Sequence, residues 1–344
     1  MNSPADPAQV LRRIAYLLER AHEPTYRIRA FRTAAATIDK LEPAELVTRA
    51  KAGTLIELTG IGKVTAEVVR EVLAGENPEY VRRLEATSEQ PVAQAGTQTL
   101  AALRGDLHLH SDWSDGVTPI AQMVATATDL GHEYVALTDH SPRLTVANGL
   151  STARLRKQLG VIARLNSVSA QTRVLTGIEV DINEDGTLDQ SNEMLDKLDI
   201  VVASVHSKLR MPREEMTRRM VAAIAHPHVD ILGHCTGRLI TGSRGTRPES
   251  TFDPEIVFAA CARFGVAVEI NSRPERLDPP KRLLRLAVEA GCWFAINTDA
   301  HGPGQLEWQP YGCERAVACG VPIERIVNTW ALEDLLAWTR RTSP

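Results

Sequence analysis

No apolar stretch in the 344 residues approaches the roughly 18 needed to cross a bilayer. The N-terminal M-N-S-P-A-D-P also lacks the basic region and apolar core of a secretory signal. A soluble protein that spans no membrane is therefore expected. Cysteine is sparse: five residues (235, 261, 292, 313 and 319), odd in number and never spaced C-x-x-C. That excludes a disulfide framework and a cysteine-rich zinc site, and points to a reducing, cytoplasmic setting. An excess of basic charge is missing as well. The net charge of −4 rules out a general nucleic-acid coat but leaves room for a local basic patch. Nothing in the composition bears on oligomeric state. What is present is length enough for two domains, with an ordinary 43% of hydrophobic residues.

The first 85 residues read as helices. Val10, Leu11, Ile14, Leu17 and Leu18 form the stripe of an amphipathic helix over 7–21, and a second helix is expected from Tyr26 to about Lys40. The second carries Arg27, Arg29 and Arg32, which suit either a phosphate grip or a solvated face. A short third helix over 43–52 closes at Gly53. Residues 55–69 then run L-I-E-L-T-G-I-G-K-V-T-A-E-V-V: a short helix, a tight turn at Gly60-Ile61-Gly62, and a helix with Val64, Val68, Val69 and Val72 facing inward. This is a helix-hairpin-helix. Its glycines allow close approach of the backbone to a phosphate, the amides opening the second helix donate to it, and Lys63 adds charge. Such contacts hold DNA without reading its sequence. Residues 86–103, rich in Ala, Thr and Gln without period, read as a linker.

From residue 104 onward short apolar runs (104–109, 133–138, 173–180, 198–204, 229–233, 265–270 and 292–297) alternate with amphipathic stretches (119–130, 151–166, 213–225, 253–264 and 279–290), with a last helix near 331–340. Alternating β and α with apolar strands implies a parallel sheet covered by helices. Seven units in this length favour a distorted (β/α)7 TIM-like barrel, whose functional residues sit where strands end.

The histidines obey that rule. In R-G-D-L-H-L-H-S, residues 104–111, His108 and His110 share one strand face, as two metal-binding imidazoles would. Asp115 follows in S-D-G, His140 in L-T-D-H, Glu179 in T-G-I-E, His206 in V-A-S-V-H, His234 in I-L-G-H, and Asp299 with His301 in I-N-T-D-A-H. Each lies at or just past a strand end. Six of the ten histidines thus gather at one rim, which packing alone would not arrange. His22 and His132 are expected to face solvent, His226 and His228 to lie at the opposite rim, and Asp139 to point away from His140. Asp181 to Asp185 opens like a calcium loop, but Asn192 stands at the twelfth position, so a turn is expected. Nine candidate ligands exceed one ion's needs, so two or three divalent ions (Mn2+, Zn2+ or Fe2+) fit better, with Glu179 able to bridge two. Clustered divalent ions suit phosphoester hydrolysis. Arg238 and Arg273 follow the fifth and sixth strands and are either phosphate clamps or ordinary loop arginines.

The set D-L-H-L-H-S, S-D-G, T-D-H, G-x-E, S-x-H, G-H and D-A-H resembles the polymerase and histidinol phosphatase (PHP) family of metal-dependent phosphoesterases, over essentially all of 104–340. The resemblance implies three metals. His108, His110, Glu179 and Asp299 would hold one, Glu179, His206 and His234 a second, and Asp115, His140 and His301 a third. Asp299 or a rim histidine such as His301 would relay protons. T-D-H-S-P, G-I-E-V-D-I, V-D-I-L-G-H-x-T-G-R and E-I-N look most like the PHP domain of bacterial family X DNA polymerases. Cys235 stands where those relatives usually carry proline; it would soften the turn holding His234 or add a thiol to the site. Residues 29–38, the hairpin and Leu73-Ala74-Gly75 resemble the small N-terminal domain of the same polymerases. Val68 occupies the position of that domain's lyase lysine, so only DNA binding carries over, and about twenty linker residues cannot contain a polymerase palm. The expectation is a helix-hairpin-helix domain over 1–85 and a PHP domain over 104–344, acting on DNA as a Mn2+-dependent 3'-5' exonuclease, with endonuclease action at abasic sites as a further expectation. The alternative is a small-molecule phosphatase acting on histidinol phosphate or a nucleotide. A third reading is a DNA-binding accessory protein with a vestigial site.

Overall fold

Asp6 opens the first helix by accepting the Ala8 N–H at 2.9 Å, with Pro7 at the position that needs no donor. This computed structural model describes residues 6–88, 93, 95–168, 171–242 and 245–340, and the chain divides into two units, residues 1–91 and 92–344. The first unit holds α1 (Pro7–Arg20), α2 (Thr25–Ile38), α3 (Pro43–Ala52), α4 (Lys63–Leu73) and α5 (Glu79–Ser88). Leu11, Ile14, Leu18, Phe31, Leu55 and Val69 form its core. Val68 is buried among them, so the residue that forgoes an amine serves packing. The hairpin turns at Gly60, whose φ of +88° suits glycine; a Cβ there would lie 2.6 Å from Thr33 Cγ2. The Gly62 N–H donates to Thr65 Oγ1 at 2.9 Å, which starts α4.

In the second unit α6 (Thr97–Ala102) packs on the barrel's own helix α13 (Gln309–Ala318). This corrects the expected linker: residues 89–92 and 94 lie outside the described residues, but 97–102 are a docked helix. Gly96 permits the docking, because its φ is +83° and a Cβ would meet the Cys313 carbonyl carbon at 2.7 Å. Six residues are too few to show a helical period, so the sequence pattern missed it.

The barrel strands are β1 (Gly105–Leu109), β2 (Tyr134–Leu137), β3 (Arg173–Asp181), β4 (Ile200–Ser204), β5 (Ile231–Leu232), β6 (Ala267–Asn271) and β7 (Trp293–Asn297). They pair in parallel and in chain order, and His110 N–H donates to Ala300 O at 2.8 Å to bring the last strand toward the first. The outer helices are α7 (Ile120–Asp129), α8 (Thr152–Val168), α9 (Asn192–Leu195), α10 (Arg213–Ile224), α11 (Pro254–Phe264), α12 (Lys281–Glu289), α13 and α14 (Leu332–Thr339). All seven expected strands are present, and a nearly closed barrel results.

Every strand contributes to one inner cluster: Leu107, Ala136, Leu175, Val202, Ile231, Ala267 and Ala295, with Leu335 of α14 among them. Helices cover the outer faces through Val268, Ile270, Phe258 and Met220. Leu107 and Leu109 part company. Leu107 joins the inner cluster while Leu109 packs beside Met123 of α7, because the register of β1 shifts between Asp106 and Leu109. Among the described residues no helix is long and apolar enough to cross a membrane.

Candidate metal centre

Glu179, near the end of β3, stands between five imidazoles. Its Oε2 lies 2.8 Å from His140 Nδ1, 3.5 Å from His108 Nε2 and 3.7 Å from His110 Nε2. Its Oε1 lies 3.2 Å from His206 Nε2 and 3.0 Å from His234 Nε2. Asp299 Oδ1 is 3.4 Å from His110 Nε2, and Asp115 Oδ1 sits 3.5 Å from His140 Nε2 and 3.3 Å from His301 Nε2. All nine expected residues therefore meet at the C-terminal end of the barrel.

Three subsets have ligand atoms within 4.8 Å of one another: His108, His110 and Asp299; His140, Glu179 and His206; and His110, Asp115, His140 and His301. The grouping differs from that implied by the resemblance: His110 and His140 each stand in two subsets, Glu179 is absent from the first, and His234 is in none of them. The chemistry of the donors suits divalent metal. His108 Nε2, both ring nitrogens of His110 and of His206, and both oxygens of Glu179 are buried without a hydrogen bond. Buried polar atoms left so would be costly, and cations among them would take up the lone pairs that face the cluster.

Burial alone would raise the Glu179 carboxyl, but His206, His140 and His108 hold it well below the usual carboxylate range. Burial would lower His108, yet Glu269 and Glu179 hold it well above an ordinary imidazole. In His110, burial and the neighbouring His301 and His140 work together, and the ring is held well below its ordinary value. Burial would likewise raise Asp299, but Arg273 and His110 keep it far below. Asp299 also adopts a left-handed φ of 53°, a strained backbone whose carbonyl accepts from Arg273 Nη1 at 3.0 Å.

The arginines divide. Arg273 Nη1 lies 3.0 Å from His301 Nδ1, at the site. Arg238 does not reach it: its guanidinium donates to the carbonyls of Arg276 at 3.0 Å and of Leu277, and to Glu249 at 3.3 Å. It ties two loops together, the ordinary loop role that stood as the alternative to a clamp, and Arg276 is the arginine beside Asp299. Arg276 Nε is 3.2 Å from Asp299 Oδ2, and its buried Nη1 makes no hydrogen bond. Arg276 escaped the sequence reading, and Glu269 entered it only within the motif E-I-N, without a role. A lone glutamate inside the apolar run V-A-V-E-I was the available signal for the second.

Other residues are also redistributed. His132 is buried rather than solvent-facing, and burial lowers its pKa to about 4. Asp139 points away from the histidines but is not idle, accepting from Ser111 N–H at 2.8 Å, Ser111 Oγ at 2.6 Å, Ser114 Oγ and Gln158 Nε2 at 2.6 Å. It anchors the loop that carries Asp115. Residues 181–189 form a turn closed by an Ile182–Leu188 bridge. The Cys235 thiol lies 3.8 Å from Asp278 Oδ1 within the apolar cluster, and burial pushes it well above an ordinary thiol. In the hairpin unit Arg29 and Lys63 are exposed, Lys63 directly after Gly62. Arg32 is not available, being paired at 2.7 Å with the buried Glu19 of α1.

The PHP-domain profile matches residues 106–273, and a helix-hairpin-helix domain profile matches 2–78. The DNA polymerase/3'-5' exonuclease PolX of Bacillus subtilis (strain 168) is 38% identical over 242 residues, which cover 70% of this chain but only 42% of that protein. A probable phosphatase of Serratia proteamaculans (strain 568) is 30% identical over 241 residues, covering 65% of this chain and 89% of the relative. Among solved structures, the histidinol phosphate phosphatase of Lactococcus lactis, complexed with zinc, L-histidinol and phosphate, aligns with a TM-score of 0.42 at 18% identity over 58% of this chain and 87% of that one.

Proposed function

The chain belongs to the PHP family of metal-dependent phosphoesterases, and from that premise we propose that it hydrolyses phosphodiester bonds in DNA as a 3'-5' exonuclease, with action at abasic sites as a second use of the same centre. The observation that carries this reading is the pairing of a helix-hairpin-helix profile with a PHP profile in one chain, an arrangement a small-molecule phosphatase has no need of. The similarity to a polymerase/3'-5' exonuclease supports it. In this reading residues 1–85 hold DNA through Arg29, Gly60, Gly62 and Lys63, and residues 104–344 cut it. The five free, buried cysteines support a reducing, cytoplasmic setting.

His108, His110, Asp115, His140, Glu179, His206, His234, Asp299 and His301 would hold two or three divalent ions, with Mn2+ the favoured species ahead of Zn2+ and Fe2+. Such ions, when bound, activate water and stabilise the charge that develops on the phosphoryl oxygens. Glu179 binds and does not titrate, because its histidine neighbours keep it ionised. Arg273 and Arg276 clamp the phosphate; Arg276 has an N–H to spare and Arg273 orients His301. His301 and Asp115 are the more exposed members of the group, so they mark the side from which substrate enters.

A second reading, phosphomonoester hydrolysis of a small substrate such as histidinol phosphate or a nucleotide, is favoured by the 89% coverage of the probable phosphatase. One experiment separates them: Mn2+-loaded protein on a 5'-labelled single-stranded oligonucleotide, with histidinol phosphate in parallel and His108→Ala as the control. A ladder of shortened products, absent in the variant, is expected. Intact DNA with phosphate released from the small molecule would install the second reading instead.

A further inference from the structure

Glu269 is fully buried on β6, and its carboxylate gathers four groups from around the barrel. Oε1 lies 2.6 Å from His108 Nδ1 and accepts Asn297 Nδ2 at 3.1 Å. Oε2 accepts the His234 backbone N–H at 2.7 Å and Asn271 Nδ2 at 3.1 Å. Asn271 Nδ2 is also 3.3 Å from Asp299 Oδ2. One side chain thus touches β1, the turn after β5, β6 and β7, and sits one residue away from a third candidate ligand. A core position on an apolar strand favours a hydrocarbon; a carboxylate survives there only because donors converge on it.

We infer that Glu269 is a positioning residue for the metal centre: it fixes the proton of His108 on Nδ1, leaves the Nε2 lone pair facing Glu179, and sets the turn that presents His234. This rests on the reading that His108 and His234 bind metal. The Nε2 of His108, 3.5 Å from Glu179 Oε2 and without a hydrogen bond, is where such a lone pair is needed. A carboxylate behind a ligating histidine sets its tautomer and raises its basicity. Glu269 does this for one ligand's ring and another's backbone at once. Glutamine is the sharp replacement, because it keeps the volume while only one of its two termini accepts. With four donors converging, at least one would face an NH2 group.

The test is Glu269→Gln in the full chain, stripped with chelator and titrated with Mn2+ by calorimetry, with thermal melting of the metal-free protein alongside. Expected is an affinity about 10- to 100-fold below wild type, with metal-free melting little changed. Unchanged affinity would overturn the inference, as would lower melting without loss of affinity. Wild-type protein that takes up no Mn2+ would overturn the metal reading beneath it. Should the variant fail to fold, zinc-loaded wild type labelled with 15N-histidine decides: His108 must carry its proton on Nδ1, and metal on Nδ1 would sink the proposal.

Discussion

Five imidazoles around one buried carboxylate is an arrangement that only a shared cation makes economical. At this scale His301 and Arg276 are separable. His301 lies at the open side with Arg273 against Nδ1, which leaves Nε2 for metal, so His301→Gln should weaken Mn2+ binding by about 100-fold or more and lower kcat with it. Metal content and steady-state rates on a short oligonucleotide would show it, and a loss of kcat at full metal content would refute the ligand role. Arg276 has an unpaired buried N–H beside Asp299. Arg276→Ala should raise KM and the inhibition constant of inorganic phosphate together, by about 10- to 100-fold, the worth of a charged hydrogen bond. A change in kcat alone would place Arg276 elsewhere in the reaction.

The hairpin in front of α4 is the element with a prediction of its own. Lys63 is exposed where the α4 amides begin and makes no hydrogen bond or ion pair among the described residues, whereas Arg32 is spent on Glu19. Lys63→Ala should weaken binding about equally for all DNA sequences and reduce the slope of log affinity against log salt by about one. Fluorescence anisotropy across a salt series measures both. Arg32→Ala, by contrast, should leave the salt slope alone and lower stability, since it removes a guanidinium paired with a buried glutamate. A shift of slope in the second variant and not the first would reverse the assignment.

For the molecule as a whole, stability is coupled to metal and to pH. Metal bound only by the folded state adds about 2.7 kcal/mol at a hundredfold excess over Kd, so chelator should lower the melting temperature and Mn2+ restore it. His132 supplies a separate acid sensitivity. Its pKa falls from 6.5 to about 4 on burial, so the unfolded chain binds the proton first. Stability is then complete above pH 6.5 and is lost as pH falls toward 4, by roughly 3 kcal/mol at full extent. His132→Asn should flatten that window relative to wild type in chemical denaturation at several pH values. Parallel curves would show that His132 does not carry the dependence.

Periodicity and strand-end position were enough to place seven strands and to pick out Glu179 and the eight residues gathered with it, because both signals are local: a two-residue alternation, and a polar residue just past an apolar run. The hairpin was legible for the same reason, through Gly60-Ile61-Gly62 and Val68, Val69 and Val72 behind it, although Val64, expected inward, is exposed. What sequence by itself could not decide was partnership across the barrel. Whether Arg238 or Arg276 faces Asp299, whether Arg32 is free or held by Glu19, and whether His132 is wet or buried all depend on residues tens of positions away. The docked helix at 97–102 and the shift in β1 that separates Leu107 from Leu109 were likewise settled by packing. Glu269 shows the division most plainly: its charge in an apolar strand was visible in the chain, but its meaning appeared only when folding brought His108, from 161 residues away, to 2.6 Å.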